Sequence, residues 1–132
     1  MKQKNIGEII EKIKELGFQE KFDMIVAIGR NGIIPACLVN QILDIPLETI
    51  YLNYRDKDHR ICRKKPCLTR PINFNCRDQT ILLIDDVSRT GETLEKAKKL
   101  LGKPRLIKTL VVNGKADYAL YDEECFKMPW LM

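Results

Sequence analysis

The chain predicts an α/β protein, a single domain built on a parallel sheet flanked by helices. Continuous apolar runs stand at Met24–Ile28 and Ile81–Ile84, and Leu106–Val112 is apolar apart from Lys108 and Thr109. A strand apolar on both sides belongs in a sheet that is covered on both faces. Between these runs apolar residues recur at helical spacing. The resulting order of strand, helix, strand, long loop, strand, helix, strand is that of parallel connections. The 132 residues are 45% hydrophobic, the composition of one ordinary globular core.

Each element has its own signal. Ile6, Ile9, Ile10, Ile13 and Leu16 form one helical stripe, and Gly17 follows as a stop. Met24–Ile28 is the first strand. The turn Gly29-Arg30-Asn31-Gly32 leads into Ile33-Ile34-Pro35, and proline is permitted in a first helical turn. Ala36–Leu43 continue as a helix with an apolar face, which assigns Cys37 to the core. Pro46 introduces a second strand, Leu47–Tyr54. Residues 55–79 lack a clear period, are interrupted by Pro66 and Pro71, and read as a long loop or a hairpin-like excursion. Ile81–Ile84 form the third strand. Helix 93–101 places Leu94, Ala97, Leu100 and Leu101 on one face, with Gly102 after it. Leu106–Val112 is the fourth strand. The tail, 114–132, holds short aromatic and apolar pieces. There is no internal repeat.

The net charge of +5 is local: residues 55–79 carry eight Lys or Arg against three Asp, and the remainder is balanced. Such a segment suits polyanions, whether pyrophosphate, nucleotide or RNA. No apolar run reaches the length of a membrane span, and the start of the chain lacks an apolar signal segment, so the expected compartment is the cytoplasm. The five cysteines are then expected as reduced thiols. His59, Cys62, Cys67 and Cys76 lie in the basic segment without a close Cys-x-x-Cys pair, so free thiols and a structural zinc site both remain open.

Function is written most densely at residues 81–94. Asp85 and Asp86 stand where the third strand is expected to end, and ligands of open α/β sheets collect at the carboxyl ends of strands. The loop Ser88–Thr93 can turn several backbone N–H groups toward one anion, with Thr93 as the expected N-cap of a helix whose N-terminus attracts phosphate. A phosphate cradle beside two carboxylates suits a phosphorylated sugar, the carboxylates holding hydroxyls or a divalent cation.

Asp85-Asp86-Val87-Ser88-Arg89-Thr90-Gly91-Glu92-Thr93 resembles the signature of the type I phosphoribosyltransferases. The turn Arg30-Asn31-Gly32-Ile33-Ile34-Pro35 is similar to the loop after the first strand of the small xanthine-guanine and hypoxanthine enzymes of that family. Asp117-Tyr118 and Pro129-Trp130 resemble their tail. The resemblance implies the type I fold with a small C-terminal hood at 114–132. It implies Mg²⁺-dependent transfer of a 5-phosphoribosyl group from 5-phosphoribosyl 1-pyrophosphate to a nitrogen of a base, foremost a purine, with release of pyrophosphate. It also implies a homo-oligomer.

Residue by residue, the resemblance makes Asp85 and Asp86 the catalytic carboxylates, holding the ribose hydroxyls and Mg²⁺. It gives the 5-phosphate to Ser88, Arg89, Thr90, Gly91, Glu92 and Thr93, and the pyrophosphate to Arg30, Asn31 and Gly32. Residues 55–79 take the place of a mobile loop that closes over the sugar. Arg60, Arg63, Lys64, Lys65 and Arg70 would there neutralise the departing pyrophosphate, a solvated basic loop being the alternative. Lys115 is a candidate to meet the base, and Phe126 would stack on it if the register slips by one. Trp130 is assigned to the core.

Two positions depart from the pattern. The family's loop commonly reads Asp-Thr-Gly, its Asp a proposed proton acceptor. This chain has Arg89-Thr90-Gly91, and a guanidinium has no acceptor. Cys125 stands where a stacking Trp is expected, and Lys127 where an acidic residue is. These changes support a second reading, a non-catalytic regulator that binds a nucleotide or sugar phosphate, with the basic loop on RNA. A third is a metal-stabilised interaction module.

Overall fold

The computed structural model describes residues 2–53 and 67–131. Asn5 opens the first helix: its side chain accepts the Glu8 amide N–H at 2.9 Å, and the Glu8 carboxylate accepts the Asn5 N–H at 3.3 Å. This helix, α1 (Ile6–Glu15), buries Ile9 and Ile13. Then follow β1 (Met24–Gly29), α2 (Ile33–Leu43), β2 (Leu47–Asn53), β3 (Cys67–Leu68), β4 (Thr80–Ser88), α3 (Glu92–Leu100), β5 (Leu106–Gly114) and β6 (Tyr118–Tyr121).

The sheet order is β3-β2-β1-β4-β5-β6. Five of these strands run parallel, and the short β3 pairs antiparallel with β2, Leu52 opposite Leu68. The chain leaves β1 toward β2 on one side and returns to β4 on the other. The topological switch point therefore lies between β1 and β4, where a crevice opens at the strand ends.

The apolar runs divide by alternation between two cores. Ile25, Ala27, Leu82, Ile84, Leu110 and Val112 face α1 and α2 and meet Ile9, Ile13, Ala36 and Val39. Met24, Val26, Ile28, Ile81, Leu83 and Val111 face α3 and meet Leu94, Ala97 and Leu101. Trp130 is half-buried against the first core, as expected, with its indole N–H buried and unpartnered.

The structure corrects the sequence expectations in several places. The third predicted strand does not stop at Ile84. β4 continues through Asp85, Asp86 and Val87 to Ser88, because β5 runs beside it to Gly114 and keeps the ladder paired. Thr93 is not the N-cap of α3. Gly91 is, at φ 80°, and Thr93 lies one residue inside the helix. Cys37 is exposed: α2 buries Pro35, Ala36 and Val39, which turns position 37 outward. Tyr118–Tyr121 add an edge strand the sequence reading had left within the tail.

The hairpin-like reading of 55–79 matches the antiparallel β2–β3 pair. His59, Arg60, Cys62, Arg63, Lys64 and Lys65 lie outside the described residues, as does the side chain of Cys67. Cys76 is buried in the second core, where burial and then the charge of Glu48 raise its thiol pKa. Among the described residues no group of three or more His, Cys, Asp and Glu is arranged to hold a metal, and no helix is long and apolar enough to cross a membrane.

Candidate active site at the carboxyl ends of the strands

β4 delivers the acidic pair. Asp85 is 8% exposed, and its Oδ1 accepts the Asp86 N–H at 2.8 Å; Asp86 Oδ1 in turn accepts the Val87 N–H at 2.8 Å. Burial, and then the neighbouring Asp86 charge, push the Asp85 carboxyl well above the usual carboxylate range. Among the described residues no lysine, arginine or histidine pairs with either carboxylate. A buried carboxylate without a counter-charge is costly, and hydroxyl donors or a divalent cation offset that cost. Two hard oxygen donors at a strand end fit Mg²⁺ together with sugar hydroxyls.

Beyond Ser88 the chain turns through Arg89, Thr90 and Gly91. A left-handed glycine at the cap supplies no side chain to the first turn of α3. The Glu92 N–H reaches the Thr90 hydroxyl at 3.3 Å, while the N–H groups of Thr93 and Leu94 have no helical acceptor and keep their capacity for an outside anion. Ser88 itself is buried at the end of the ladder, and the exposed part of this loop begins at Arg89.

The turn after β1 lies against the acidic pair. Gly32 is buried so closely that an added Cβ would stand 2.6 Å from the Ile28 and Ile84 carbonyl oxygens and 3.1 Å from the Asp85 Cα. Only glycine permits this approach, which joins Arg30, Asn31 and Gly32 to the acidic pair at the switch point. The Gly29–Arg30 peptide is cis, and Arg30 and Asn31 are exposed. On the other side of Gly29, a Cβ would meet the Tyr51 ring at 2.7 Å. Arg70, from the segment after β3, stacks its guanidinium 4.0 Å from the centre of that ring. Arg70 thus stands in the same neighbourhood as the turn.

The end of β5 carries the tail. Asn113 is 1% exposed; its Nδ2 donates to the Glu123 and Glu124 carbonyls at 3.2 and 3.4 Å, and its Oδ1 accepts the Glu123 N–H at 3.0 Å. Gly114, at φ 127°, leaves no room for a side chain, since a Cβ would lie 1.9 Å from the Ser88 oxygen. The exposed Lys115 follows, its N–H donating to that oxygen at 3.0 Å, so its side chain starts beside the loop between β4 and α3.

Phe126 needs correction as a stacking group. It is 7% exposed and packs edge-on to Tyr121, centroids 5.3 Å apart, which makes it part of the core. Asp117 and Tyr118 are structural: Asp117 accepts from the Thr109 N–H and hydroxyl at 2.9 and 3.0 Å, and the Tyr118 hydroxyl bonds Glu20.

Residues 85–86, 89–93, 30–32 and 115 thus gather at one end of the sheet. Sequence reasoning missed Tyr51, Asn113 and Glu123. Asn113 had a signal, a lone amide closing an apolar strand; the other two had none, because their partners are distant in sequence.

The arrangement agrees with what comparison with known proteins finds. A family model described as phosphoribosyl transferase domain matches residues 2–129. The chain is similar to the purine phosphoribosyltransferase from Pyrococcus horikoshii Ot3, at 28% identity over 98% of this chain and 93% of that one, with a TM-score of 0.83. A hypothetical protein from Neisseria gonorrhoeae with bound ppGpp shares the fold at 24% identity, over 98% and 90% of the two chains, TM-score 0.76. A hypoxanthine-guanine phosphoribosyltransferase from Bacillus anthracis shares it at 16% identity, over 89% and 80%, TM-score 0.69. Comparison with curated proteins gave no match. With a family match that spans nearly the whole chain, the chain belongs to the phosphoribosyltransferase family.

Proposed function

We propose that this protein transfers the 5-phosphoribosyl group of 5-phosphoribosyl 1-pyrophosphate to a ring nitrogen of a purine, releasing pyrophosphate. One observation carries the reading: Asp85 is buried, has no ion-pair partner among the described residues, lies on the strand that leads into the open N-terminus of α3, and is packed against the Arg30–Gly32 turn. The first-turn N–H groups of α3 would hold the 5-phosphate. Asp85 and Asp86 would hold the ribose hydroxyls and, through them, Mg²⁺. When bound, the metal supplies positive charge to the pyrophosphate. Arg30 and the Tyr51-stacked Arg70 would face the same leaving group. The chain's own contribution is to fix the sugar between two anion sites, so that the bond at its first carbon lies under electrostatic tension from one side. Lys115 would meet an oxygen of the base. Since Arg89 accepts no proton, the base would enter with its attacking lone pair free or lose its proton to water. In keeping with the family, we expect a homo-oligomer.

The test is calorimetric titration with 5-phosphoribosyl 1-pyrophosphate and Mg²⁺, followed by a purine panel assayed for pyrophosphate. Binding with release on one base supports the reading and names the acceptor. Binding without release on any base supports the second reading, a nucleotide-binding regulator, which Arg89 favours. The ppGpp held by the Neisseria protein makes guanosine polyphosphates the first ligands to try in that case. Absence of binding refutes both.

A further inference from the structure

Arg89 stands in the loop before α3, and its side chain reaches the tail. Its Nη2 donates to the Glu123 carbonyl at 3.0 Å and lies 3.6 Å from the Cys125 sulfur. The same Glu123 carbonyl accepts from Asn113 at 3.2 Å. The Glu123 carboxylate meets Lys4 at 2.9 Å, and Lys4 also lies over the Tyr121 ring at 4.5 Å. Backbone bonds between Lys2, Lys4 and Lys127 hold the N-terminal segment alongside the tail. Glu123 is therefore a node where the phosphate loop, the end of β5 and the N-terminal segment meet. Asn113 and Lys4 come from the scaffold. Arg89 alone joins the node to the loop that binds the sugar phosphate.

We infer that Arg89 is a positioning residue that latches the tail to the phosphate loop and so sets the height of the hood over the acceptor base. The inference rests on the phosphoribosyl-transfer reading. It follows from chemistry that the family's usual carboxylate cannot perform: a carboxylate accepts, and a bond from this position to the Glu123 carbonyl requires a donor. A guanidinium has five N–H groups in a rigid fork, so it can hold the tail and still present donors toward the base. The residue that removes the expected proton acceptor thereby adds a mechanical link, and the acceptor site becomes sensitive to the state of the loop.

The test compares Arg89→Ala and Arg89→Lys with the parent chain. Hydrogen exchange at residues 123–126 reads the latch without turnover, and steady-state kinetics read its use. Losing a charge-assisted bond corresponds to about a tenfold effect. We therefore expect exchange over 123–126 to rise about tenfold in Arg89→Ala, and the KM for the base to rise by a similar factor while kcat at saturating base changes far less. Arg89→Lys should recover part of both, since an ammonium can still donate to the Glu123 oxygen. Unchanged exchange over 123–126 overturns the latch. So does weakened binding of the sugar pyrophosphate with an unchanged KM for the base, which would make Arg89 a phosphate ligand. If the parent chain turns over no base, the phosphoribosyl-transfer reading has failed and exchange alone decides the latch.

Discussion

Asp85→Asn separates stability from function in one substitution. The carboxyl is 8% exposed and beside Asp86, and its pKa is driven well above the usual carboxylate range, first by burial and then by the Asp86 charge. A folded-state pKa above the unfolded one means that the folded chain binds the extra proton. At pH below the ordinary value of 3.8 both states are protonated and the group has no effect on stability. As pH rises from there to the folded pKa, stability falls by up to about 1.4 kcal/mol per pH unit, and above it the full penalty remains. For a domain of this size that slope is roughly 5 °C in Tm per pH unit. Asparagine has the same shape, its Oδ1 can accept the Asp86 N–H, and its Nδ2 can donate to the Asp86 carboxylate. The variant should therefore match the parent in Tm near pH 4, exceed it increasingly toward neutrality, and lose the Tm rise that 5-phosphoribosyl 1-pyrophosphate with Mg²⁺ gives the parent. Thermal denaturation across pH, with and without ligand, measures both effects. A variant less stable than the parent at pH 7 would refute the claim that the ionised Asp85 is uncompensated; a full ligand shift would refute its place in the site.

Three further outcomes follow from the geometry. Gly114→Ala drives a Cβ to 1.9 Å from the Ser88 oxygen at a φ of 127°, and should cost at least about 3 kcal/mol, read as a lower urea midpoint at constant m. Asn113→Ala strips the Glu123 N–H of its acceptor and two tail carbonyls of a donor, and should cost about 2 kcal/mol in the same assay; no loss would mean that water replaces the amide. Arg70→Ala should raise the dissociation constant for the sugar pyrophosphate about tenfold at low salt, and Arg70→Lys should recover only part, because lysine stacks less well on Tyr51. Equal affinity in all three proteins would remove Arg70 from the pyrophosphate site.

What the sequence disclosed divides along a physical line. β1, the apolar half of β4 and Leu110–Val112 of β5 were legible because burial on both faces leaves an unbroken aliphatic run. The acidic pair, the glycine turns and the helix after them were legible because their spacing is local. The extension of β4 to Ser88 was hidden: Asp85, Asp86 and Ser88 look like loop, and the Asp85–Val111, Val87–Asn113 and Ser88–Gly114 pairings make them strand. Thr93 looked like a cap because its hydroxyl suits one, but the chain turns at Gly91, whose φ of 80° determines where α3 starts. Cys37 looked buried because α2 carries no charge; Ile34 and Ile42 are likewise 40% and 51% exposed, so the apolar stripe was wider than the face the sheet covers. Arg89 was read as a break in a motif, and its engagement with Glu123, 34 residues away, is beyond any local rule.

The chain's single tryptophan lies in the tail, half-buried against the first core, its indole N–H unpartnered. That placement equips the protein with an intrinsic optical reporter. Emission from an indole in such surroundings lies to the blue of a solvated one and shifts red when water gains access. Stopped-flow fluorescence on the unlabelled protein can thus time the loosening and resealing of the segment that bears Glu123 and Cys125. Because no second indole contributes background, ligand mixing can be followed at this one locus.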